Sequence, residues 1–304
     1  MKKILVTGSS GFIGLNLVLY AKSISNLMII PFNRHLIFDS EDLDIFFSGV
    51  DVIIHLAGKA HDLKNVSIPD DYYQGNTVLT KRLFDAFLNS TATGFVFISS
   101  IKAVADEVDI KLFENQYPNP VTHYGKSKLL AEHYIFSEEI PRKKKVYVLR
   151  PCMIHGPGNK GNLNLLFNFV SKGIPWPLGA FNNQRSFCSI DNLMFILKEL
   201  IEREDIPSGI YNVADDEPVS TNELIELIAL SQNMKPKIWH FSKDLINFFT
   251  KLGDKLHLPL NTERLKKLTA SYVVSNEKIK NILGKPLPVS SKAGLLKTFK
   301  SFVN

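Results

Sequence analysis

The chain has 304 residues, 45% of them hydrophobic, which is enough to build a large core divided between two lobes. Its 36 Lys and Arg and 30 Asp and Glu residues give a net charge of +6, although residues 235–304 alone carry +10. This basic end suits an anionic partner such as a nucleotide diphosphate. No recognition motif accompanies the charge, which argues against a nucleic acid partner.

The amino terminus and the two cysteines indicate the compartment. Met1 to Lys3 precede apolar residues as in a signal peptide, but the polar turn that begins at Thr7 interrupts the run. No segment approaches the roughly 18 uninterrupted apolar residues of a membrane span, so stable membrane insertion is not expected. Cys152 and Cys188 lack the spacing of a disulfide framework or a zinc site. We therefore expect a cytoplasmic protein without a bound metal.

The first predicted element is a strand over Ile4 to Val6 that leads directly into the sequence TGSSGFIG. Three glycines have the spacing of a dinucleotide pyrophosphate site, where they permit a tight turn, close approach of the phosphates and close packing of the next helix. They are Gly8, Gly11 and Gly14. The N–H groups of Phe12 and Ile13, in the first turn of that helix, would then face the pyrophosphate. These residues predict a bound nucleotide cofactor.

Further apolar runs alternate with helical stretches along the chain, at 27–30, 52–56, 95–98 and 146–149. This alternation predicts an α/β fold with a doubly wound parallel sheet of Rossmann type and helices on both faces. One connection is too short for that pattern. Only 33–35 separate the second strand from the apolar run at 36–38, whereas a parallel crossover needs about a dozen residues. The usual third strand is therefore expected to be missing, reduced or antiparallel.

The amino-acid composition changes after Pro151, where loops rich in Gly, Pro and Asn begin. We predict a dinucleotide-binding Rossmann domain over residues 1–155, to which a segment at about 190–215 returns through the strand-like sequence GIYNV. A smaller α/β substrate-binding lobe is expected over residues 156–304.

Three residues form a candidate catalytic group. Tyr124 and Lys128 are one helical turn apart and share a helix face, although about one such pair is expected by chance in this composition. Ser100 follows the strand at 95–98 and would lie at the carboxyl edge of the sheet, where ligands bind. If the three converge there, they form a proton-transfer group in which Lys128 would lower the pKa of Tyr124 from about 10.

Five motifs together resemble the extended short-chain dehydrogenase/reductases that act on nucleotide sugars, and the resemblance is closest to 4-ketoreductases and 4-epimerases. They are TGSSGFIG at 7–14, HLAG at 55–58, FISS at 97–100, YGKSK at 124–128 and LRPCMIHGPG at 149–158. The resemblance implies that Tyr124 is the acid/base, that Lys128 binds the nicotinamide ribose and tunes Tyr124, and that Ser100 hydrogen-bonds the sugar oxygen. It also implies a homodimer formed through helices at 72–89 and 122–136.

The same resemblance assigns contacts outside the catalytic group. The additional cofactor contacts that it implies are Ala57, Gly58, Asn76 and Pro151. In the second lobe, Asn162 and Leu163 would meet the diphosphate and base of the substrate. Arg185 would clamp the diphosphate, a role that suits a guanidinium because it can donate two parallel hydrogen bonds to phosphate oxygens.

One reaction of the resembled family is excluded by sequence. Sugar 4,6-dehydratases carry Thr-Asp-Glu after the strand that ends at 98, and here those positions are Ser100, Ile101 and Lys102. Without the two carboxylates, the elimination of water has no acid/base pair. Hydride chemistry at carbon 4 of the sugar remains.

The end of the second strand bears on the choice of cofactor. An NAD site has Asp or Glu about 20 residues after the glycine turn, to hold the ribose hydroxyls. This chain has Phe32, Asn33 and Arg34 there, with no acid before Asp39. Since Arg34 could pair with a 2′-phosphate, NADP(H) is favoured and NAD(H) is the alternative.

The cofactor in turn favours one reaction, because epimerases of the resembled family recycle a bound NAD whereas a reductase consumes NADPH. The sequence SSIKAV at 99–104 also resembles the branch that contains UDP-4-keto-6-deoxy-hexosamine 4-reductases of surface-glycan precursor synthesis. A UDP-hexose or UDP-N-acetylhexosamine 4-epimerase with bound NAD is the alternative. A non-catalytic NAD(P)-sensing protein is disfavoured, because a sensor has no use for an acid/base group.

One amphipathic stretch has two interpretations. Between Trp239 and Leu258, apolar residues at 241, 245, 248, 249 and 252 follow helical spacing among lysines. A helix that faces the core of the substrate lobe is the commoner cause of such a pattern. Docking on an anionic membrane is the other, as basic amphipathic helices do.

Overall fold

Eight strands lie in the part of the chain that the computed structural model describes, which is residues 1–24, 26–33, 36, 44–59, 68–256 and 261–303. Six form a parallel sheet in the order β2-β1-β3-β4-β5-β8, and β6 pairs with β7 in a small parallel sheet. The strands are β1 (Lys2–Thr7), β2 (Leu27–Phe32), β3 (Val52–His55), β4 (Gly94–Ile98), β5 (Lys145–Pro151), β6 (Met153–His155), β7 (Phe187–Ser189) and β8 (Gly209–Val213). The predicted strands, including the return of GIYNV to the sheet beside β5, are confirmed.

Helices connect these strands and build the second lobe. They are α1 (Phe12–Lys22), α2 (Asp44–Phe47), α3 (Pro69–Tyr72), α4 (Leu79–Asn89), α5 (His123–Ser137), α6 (Asn162–Ser171), α7 (Ile190–Glu202), α8 (Thr221–Ser231), α9 (Lys243–Leu256), α10 (Thr262–Thr269), α11 (Glu277–Leu283) and α12 (Ser291–Lys300). A π-helical segment, Tyr73–Val78, joins α3 to α4 without a break, and a short 3₁₀ turn, Ile101–Ala103, follows β4.

Both faces of the large sheet are buried under helices. In β1, Ile4 belongs to one apolar cluster and Leu5 to another, and in β4 Val96 and Phe97 alternate in the same way. The first cluster also contains side chains from α1 and α7, and the second contains side chains from α4 and α5. Because successive side chains of a strand point to opposite faces, this alternation confirms the predicted doubly wound arrangement.

The order of the sheet reverses at β1. The chain moves from β1 outward to β2 and then returns to β3 on the other side of β1. The carboxyl ends of β1 and β3 therefore diverge into a crevice, which is where ligands bind in open α/β sheets. Strand β2 pairs with β1 and, among the described residues, with no strand on its other side. The run at 36–38 lies largely outside the described residues, so the expectation for a third strand stays a prediction.

The second lobe has its own apolar core, which contains side chains from α6, α8, α9, α10 and α12 together with Trp176 and Leu178. Helix α8 begins at a capping box in which Ser220 and Glu223 exchange hydrogen bonds, at 3.1 Å from the Glu223 N–H and 2.8 Å from the Ser220 N–H. The domain boundary at 155 stays a prediction.

Helix α9 does not have the core-facing orientation that its apolar spacing favoured. Only Ile246, Thr250 and Gly253 of this helix are buried. The large apolar side chains point outward, and we call them, with two aromatic residues that precede the helix, the α9 apolar face: Trp239, Phe241, Leu245, Phe248, Phe249, Leu252 and Leu256. The core-facing interpretation was wrong because one isoleucine and two small residues, rather than the aromatic and leucine side chains, make the contact with the lobe.

Two other kinds of site are absent from the described residues. No helix there combines the length and the apolar character that a membrane span needs. No group of three or more His, Cys, Asp or Glu side chains comes together in a way that could hold a metal ion. Cys152 and Cys188 are both buried and both free.

A buried ion pair joins α5 to β5. Glu132 and Arg150 have side chains that are 1% and 3% exposed, and the Arg150 Nη2 lies 2.5 Å from a carboxylate oxygen of Glu132. The Arg150 Nε lies 3.1 Å from both oxygens. Ser99, just after β4, donates a hydrogen bond to the same carboxylate. The pair therefore connects the carboxyl end of β4, the strand β5 and the helix α5.

We predict that Glu132→Ala lowers the free energy of unfolding by about 3–5 kcal/mol, because it leaves the buried Arg150 guanidinium without a counter-charge. The matched control is Glu107→Ala, which removes the exposed ion pair to Lys266 and should cost about 1 kcal/mol or less. Urea unfolding followed by circular dichroism measures both. Equal losses in the two variants would contradict the prediction.

Candidate functional site

The glycine turn after β1 brings two backbones into close approach. Gly8 has a φ of +70°, and a Cβ at this position would lie 2.7 Å from the backbone N of Ala57 in the loop after β3. A Cβ on Gly14 would lie 2.5 Å from the Cα of Ser9, so this glycine lets α1 begin directly above the turn. A side chain on Gly8 would fill the space between the two loops, and a side chain on Gly14 would collide with the backbone of the turn itself.

Helix α1 begins at the turn, and no side chain of the helix's first turn or N-cap neutralises the partial positive charge at its amino terminus. Gly11 is the N-cap and offers no side-chain acceptor, and the first turn of α1 contains no acidic residue. Phe12 and Ile13 supply the first N–H groups of the helix, which have no intrahelical partner. A helix end of this kind attracts a phosphate, so the residues present fit a dinucleotide.

The three candidate catalytic residues lie together at the carboxyl end of β4. Ser100 is 9% exposed, caps the 3₁₀ turn by accepting a hydrogen bond from the Lys102 N–H at 3.2 Å, and shares a side-chain hydrogen bond with Tyr124. Tyr124 is in the first turn of α5, which can approach the 3₁₀ turn because a Cβ on Gly125 would overlap the Lys102 carbonyl. The sequence analysis predicted that these three residues meet at the carboxyl edge of the sheet, and the structure places them together there.

Lys128 is fixed beneath this group. Its ammonium donates a hydrogen bond to the Ile98 carbonyl at 3.0 Å and lies 4.8 Å from the centre of the Phe97 ring. Burial lowers the pKa of Lys128 to about 8, and the nearby carboxylate of Glu132 opposes this shift. The side chain is therefore a buried cation that loses its charge at mildly alkaline pH.

The expected effect of Lys128 on Tyr124 is not what this structure shows. Burial raises the pKa of the Tyr124 hydroxyl above its ordinary value, and the hydrogen bond with Ser100 opposes that rise. Lys128 was expected to lower this pKa. In the structure described, burial outweighs that effect, since Lys128 points at the Ile98 carbonyl while Tyr124 lies among buried groups that include the Tyr72 ring, at 6.3 Å, so the influence of Lys128 on Tyr124 stays a prediction.

The loop after β3 and the π-helical segment form the other wall of the crevice. Asn76 is fully buried, accepts a hydrogen bond from the Lys59 N–H at 2.9 Å and donates to the Ser127 hydroxyl at 2.9 Å. A Cβ on Gly58 would lie 2.5 Å from the Asn76 side-chain oxygen and 3.3 Å from the Lys128 ammonium. The proposed cofactor residues Gly58 and Asn76 thus adjoin the catalytic lysine.

A buried chain of hydrogen bonds that sequence reasoning missed supports this wall. His55 contacts Thr7 at 2.7 Å and Thr80 at 2.9 Å, and burial lowers its pKa to about 3, so the ring is neutral. Thr80 donates to the Asn76 carbonyl at 2.5 Å and must accept from His55, while Thr7 accepts from the Ala57 N–H at 3.2 Å and donates to the other ring nitrogen. The HLAG motif contains this histidine, which was the available signal.

The predicted substrate residues of the second lobe are spread over its surface and core. Asn162 is exposed at the start of α6. Leu163 is 3% exposed and packs in the core of the lobe, so any contact with a ligand would come from its backbone. Pro151, which was predicted to contact the cofactor and not the substrate, is buried at the end of β5 opposite Val213 of β8. Their roles toward a ligand stay predictions.

Arg185 is engaged by the protein itself. Its Nε donates to the Ala270 carbonyl at 3.1 Å, and its Nη2 donates to the Lys267 carbonyl at the end of α10. It lies close enough to Lys102 to help lower the pKa of that ammonium, an effect due mainly to burial and opposed by Asp106. Two cations therefore border the site on the lobe side. Arg34 lies outside the described residues.

The family comparison agrees with the motifs. The model of the "NAD dependent epimerase/dehydratase family" matches residues 4–214. UDP-glucose 4-epimerase of Vibrio cholerae is 30% identical over 99% of this chain and 96% of its own length. N-acetyl-alpha-D-glucosaminyl-diphospho-ditrans,octacis-undecaprenol 4-epimerase of Escherichia coli O157:H7 is 25% identical over 98% and 94%. UDP-2-acetamido-2,6-beta-L-arabino-hexul-4-ose reductase of Pseudomonas aeruginosa is 25% identical over 78% and 59%.

Solved structures share the fold. UDP-glucuronic acid 4-epimerase from Bacillus cereus, in complex with NAD, superposes with a TM-score of 0.77 at 19% identity, covering 99% of this chain and 98% of that one. RMD from Pseudomonas aeruginosa, complexed with NADPH, superposes with a TM-score of 0.75 at 21% identity, covering 99% of each chain. These structures confirm the predicted Rossmann-type fold.

We predict that Tyr124→Phe retains cofactor binding but loses roughly 100- to 10,000-fold in turnover, the usual contribution of general acid catalysis. The matched control is Tyr117→Phe, at a tyrosine that is 92% exposed. Calorimetry measures cofactor binding, and the change in nicotinamide absorbance measures turnover. Activity of Tyr124→Phe within a factor of three of the parent would remove this hydroxyl from the mechanism.

We also predict a pH dependence that arises from Lys128. Its charge is present below about pH 8 and is lost above that value, whereas the raised pKa of Tyr124 keeps the phenol protonated there. Turnover should therefore fall as the pH rises through about 8. In Lys128→Arg the guanidinium keeps its charge, so the profile from about pH 6 to about pH 9.5 should lack this fall, whatever the absolute rate. An unchanged fall in the variant would assign it to another group.

Proposed function

The chain belongs to the NAD dependent epimerase/dehydratase family and is an enzyme of it, and on that premise we propose a specific reaction. The enzyme reduces the carbon 4 carbonyl of a UDP-4-keto-6-deoxy-hexosamine, with NADPH as the reductant. It serves the synthesis of surface-glycan precursors in the cytoplasm and acts as a homodimer through α4 and α5.

In the proposed reaction, each step at the carbonyl is carried out by one side chain. Tyr124 donates a proton to the sugar oxygen as the hydride arrives, and Ser100, which already shares a hydrogen bond with Tyr124, polarises the same oxygen. The charge of Lys128 stabilises the phenolate that remains after the proton has left. When bound, the nicotinamide group supplies the hydride.

Other residues hold the two ligands in place. The turn at Gly8 to Gly14 and the first N–H groups of α1 receive the pyrophosphate of the cofactor, and Ala57, Gly58, Asn76 and Pro151 form the wall beside it. Asn162, the backbone of Leu163 and Arg185 receive the substrate diphosphate. Water is excluded from the reacting groups by the same burial that shifts the pKa values of Tyr124 and Lys128.

One observation carries the choice of reductase over epimerase. Strand β2 ends at Phe32 and is followed by Asn33 and Arg34, so the position that holds the ribose hydroxyls of NAD in Rossmann folds has no carboxylate. A cation there favours the 2′-phosphate of NADPH. A cofactor that is bound reduced and released oxidised in each cycle suits a net reduction.

The alternative is a 4-epimerase with bound NAD. The relatives from Vibrio cholerae and Escherichia coli O157:H7, which match this chain over nearly its whole length, are named as 4-epimerases. An epimerase would use Ser100, Tyr124 and Lys128 twice, first to remove and then to return the hydride. The Escherichia coli relative is named for a sugar on a lipid diphosphate, which presents to Arg185 the same diphosphate chemistry as a nucleotide sugar.

We predict that the purified enzyme oxidises NADPH stoichiometrically with a UDP-4-ketosugar and does not exchange the 4-epimers of a UDP-hexose. The reason is that a reductase releases oxidised cofactor once per turnover, whereas an epimerase regenerates its own. Absorbance at the nicotinamide band and chromatography of the sugar nucleotides measure the two reactions. Epimer exchange at a catalytic rate, with NAD retained through purification, would overturn the reductase and support the epimerase.

Arg34→Ala tests whether the preference for NADPH over NADH arises from the arginine that follows β2. NADPH should bind more tightly than NADH, and the variant should narrow the difference by the roughly 1.5–3 kcal/mol of a charged hydrogen bond. Arg142→Ala, which removes an exposed arginine between α5 and β5, is the control for the lost charge. Equal affinities for the two cofactors in the parent enzyme would contradict the proposed site.

A further inference from the structure

The α9 apolar face is a large exposed apolar surface that neither the fold nor the catalytic site uses. Its seven side chains are between 39% and 64% exposed, with Phe248 the most exposed of them. Single exposed leucines are ordinary in proteins, but a continuous row of aromatic and leucine side chains on one helix indicates an interaction surface.

The attachment of α9 to the lobe uses a different side of the helix. At about 100° per residue, Leu245, Phe249, Leu252 and Leu256 fall within one narrow sector of the helix. The buried residues Ile246, Thr250 and Gly253 are centred about 97° away from that sector. The apolar side of the helix therefore faces solvent, where it is available for a partner.

The charge beside this face is positive. Lys251 and Lys255 border the apolar sector on the side away from the buried strip, where Asp244 also lies, and all three are exposed, so this border carries a net positive charge. Arg264, Lys266 and Lys267 follow on the exposed side of α10. Residues 235–304 as a whole carry +10, so the α9 apolar face lies in the most basic part of the chain.

We propose that the α9 apolar face docks on the anionic surface of a lipid bilayer. Interfacial helices have large apolar side chains on one side and lysines at its border, where the lysine stems reach along the apolar layer while the charges meet the headgroups. A second copy of this chain is a poorer match, because a two-fold contact through this face would bring two segments that each carry +10 against one another.

Docking would bring the substrate lobe of the enzyme next to the membrane. Helix α10 packs against α9 at one end, where Asp254 accepts a hydrogen bond from the Thr262 N–H at 3.0 Å. At its other end the Lys267 carbonyl accepts from Arg185. Eight helical residues span about 12 Å, so the docking surface lies a short distance from one cation of the proposed diphosphate site.

The two tryptophans of the chain provide a direct measurement. Trp239 belongs to the α9 apolar face and is 52% exposed, whereas Trp176 is 5% exposed in the core of the lobe. With vesicles of phosphatidylglycerol and phosphatidylethanolamine, we expect the protein to sediment with the lipid and its tryptophan emission to shift to shorter wavelength. Trp239→Phe should abolish the shift and retain sedimentation. Vesicles of phosphatidylcholine alone should bind about tenfold less protein or weaker still, because the anionic charge is missing.

Variants separate the apolar and the electrostatic contributions. Phe248→Ser with Phe249→Ser should weaken partition onto anionic vesicles by about tenfold or more, given the apolar area of two half-exposed phenylalanines. Leu19→Ser with Leu230→Ser is the control at equally exposed helical positions. Lys251→Glu with Lys255→Glu should weaken binding by a similar factor, and Lys22→Glu with Lys172→Glu is the control of equal net charge.

Turnover of a soluble substrate distinguishes a failure of the membrane-docking proposal from a failure of the proposed reaction. The face does not include Ser100, Tyr124 or Lys128, so every variant should turn over a free nucleotide sugar within a factor of two of the parent. Vesicle binding is scored whether or not the reductase assignment holds. Equal partition of the parent and the Phe248 and Phe249 variant would overturn the proposal. So would concentration-dependent dimerisation through this face without vesicle binding.

Discussion

The catalytic group depends on a buried cation. The Lys128 ammonium has almost no access to water, and the fold compensates for its burial with the Ile98 carbonyl, the face of the Phe97 ring and the carboxylate of Glu132. That carboxylate is in turn held by Arg150 and Ser99. These contacts come from β4, β5 and α5, so the central sheet and the helix packed on it fix the position of Lys128. Ser100 and Tyr124, which lie next to Lys128, are held by the same elements.

Sequence patterns were sufficient for the parts of the fold that repeat. Alternation of apolar and helical stretches predicted the parallel sheet, because burial on both faces of a strand leaves a continuous apolar run such as Phe95 to Ile98. The glycine turn was predictable for a different reason, since close backbone approach at Gly8 and Gly14 excludes every other side chain. Both signals are local in sequence.

The features of the site that could not be predicted from the sequence depend on contacts between segments that are distant along the chain. The partner of Glu132 is a strand residue 18 positions away, and the partners of His55 are 48 and 25 positions away. The outward orientation of α9 was missed because apolar spacing gives the amphipathic side of a helix and does not say which side the lobe contacts. The direction of the reaction is equally non-local, because the same three side chains serve reduction and epimerisation.

The π-helical segment between α3 and α4 constrains how the chain can vary in length. A π turn holds one residue more than an α turn, and in this segment the extra residue lets Asn76 reach both Lys59 and Ser127. Deletion of one residue here would restore an α-helical turn and leave α4 in nearly the same orientation, because the wider turn takes up the extra residue. Thr80 would keep its contact with His55, whereas Asn76 would lose its place between Lys59 and Ser127. A chain that is one residue shorter in this helix is therefore expected to keep the fold and to lose this part of the crevice wall.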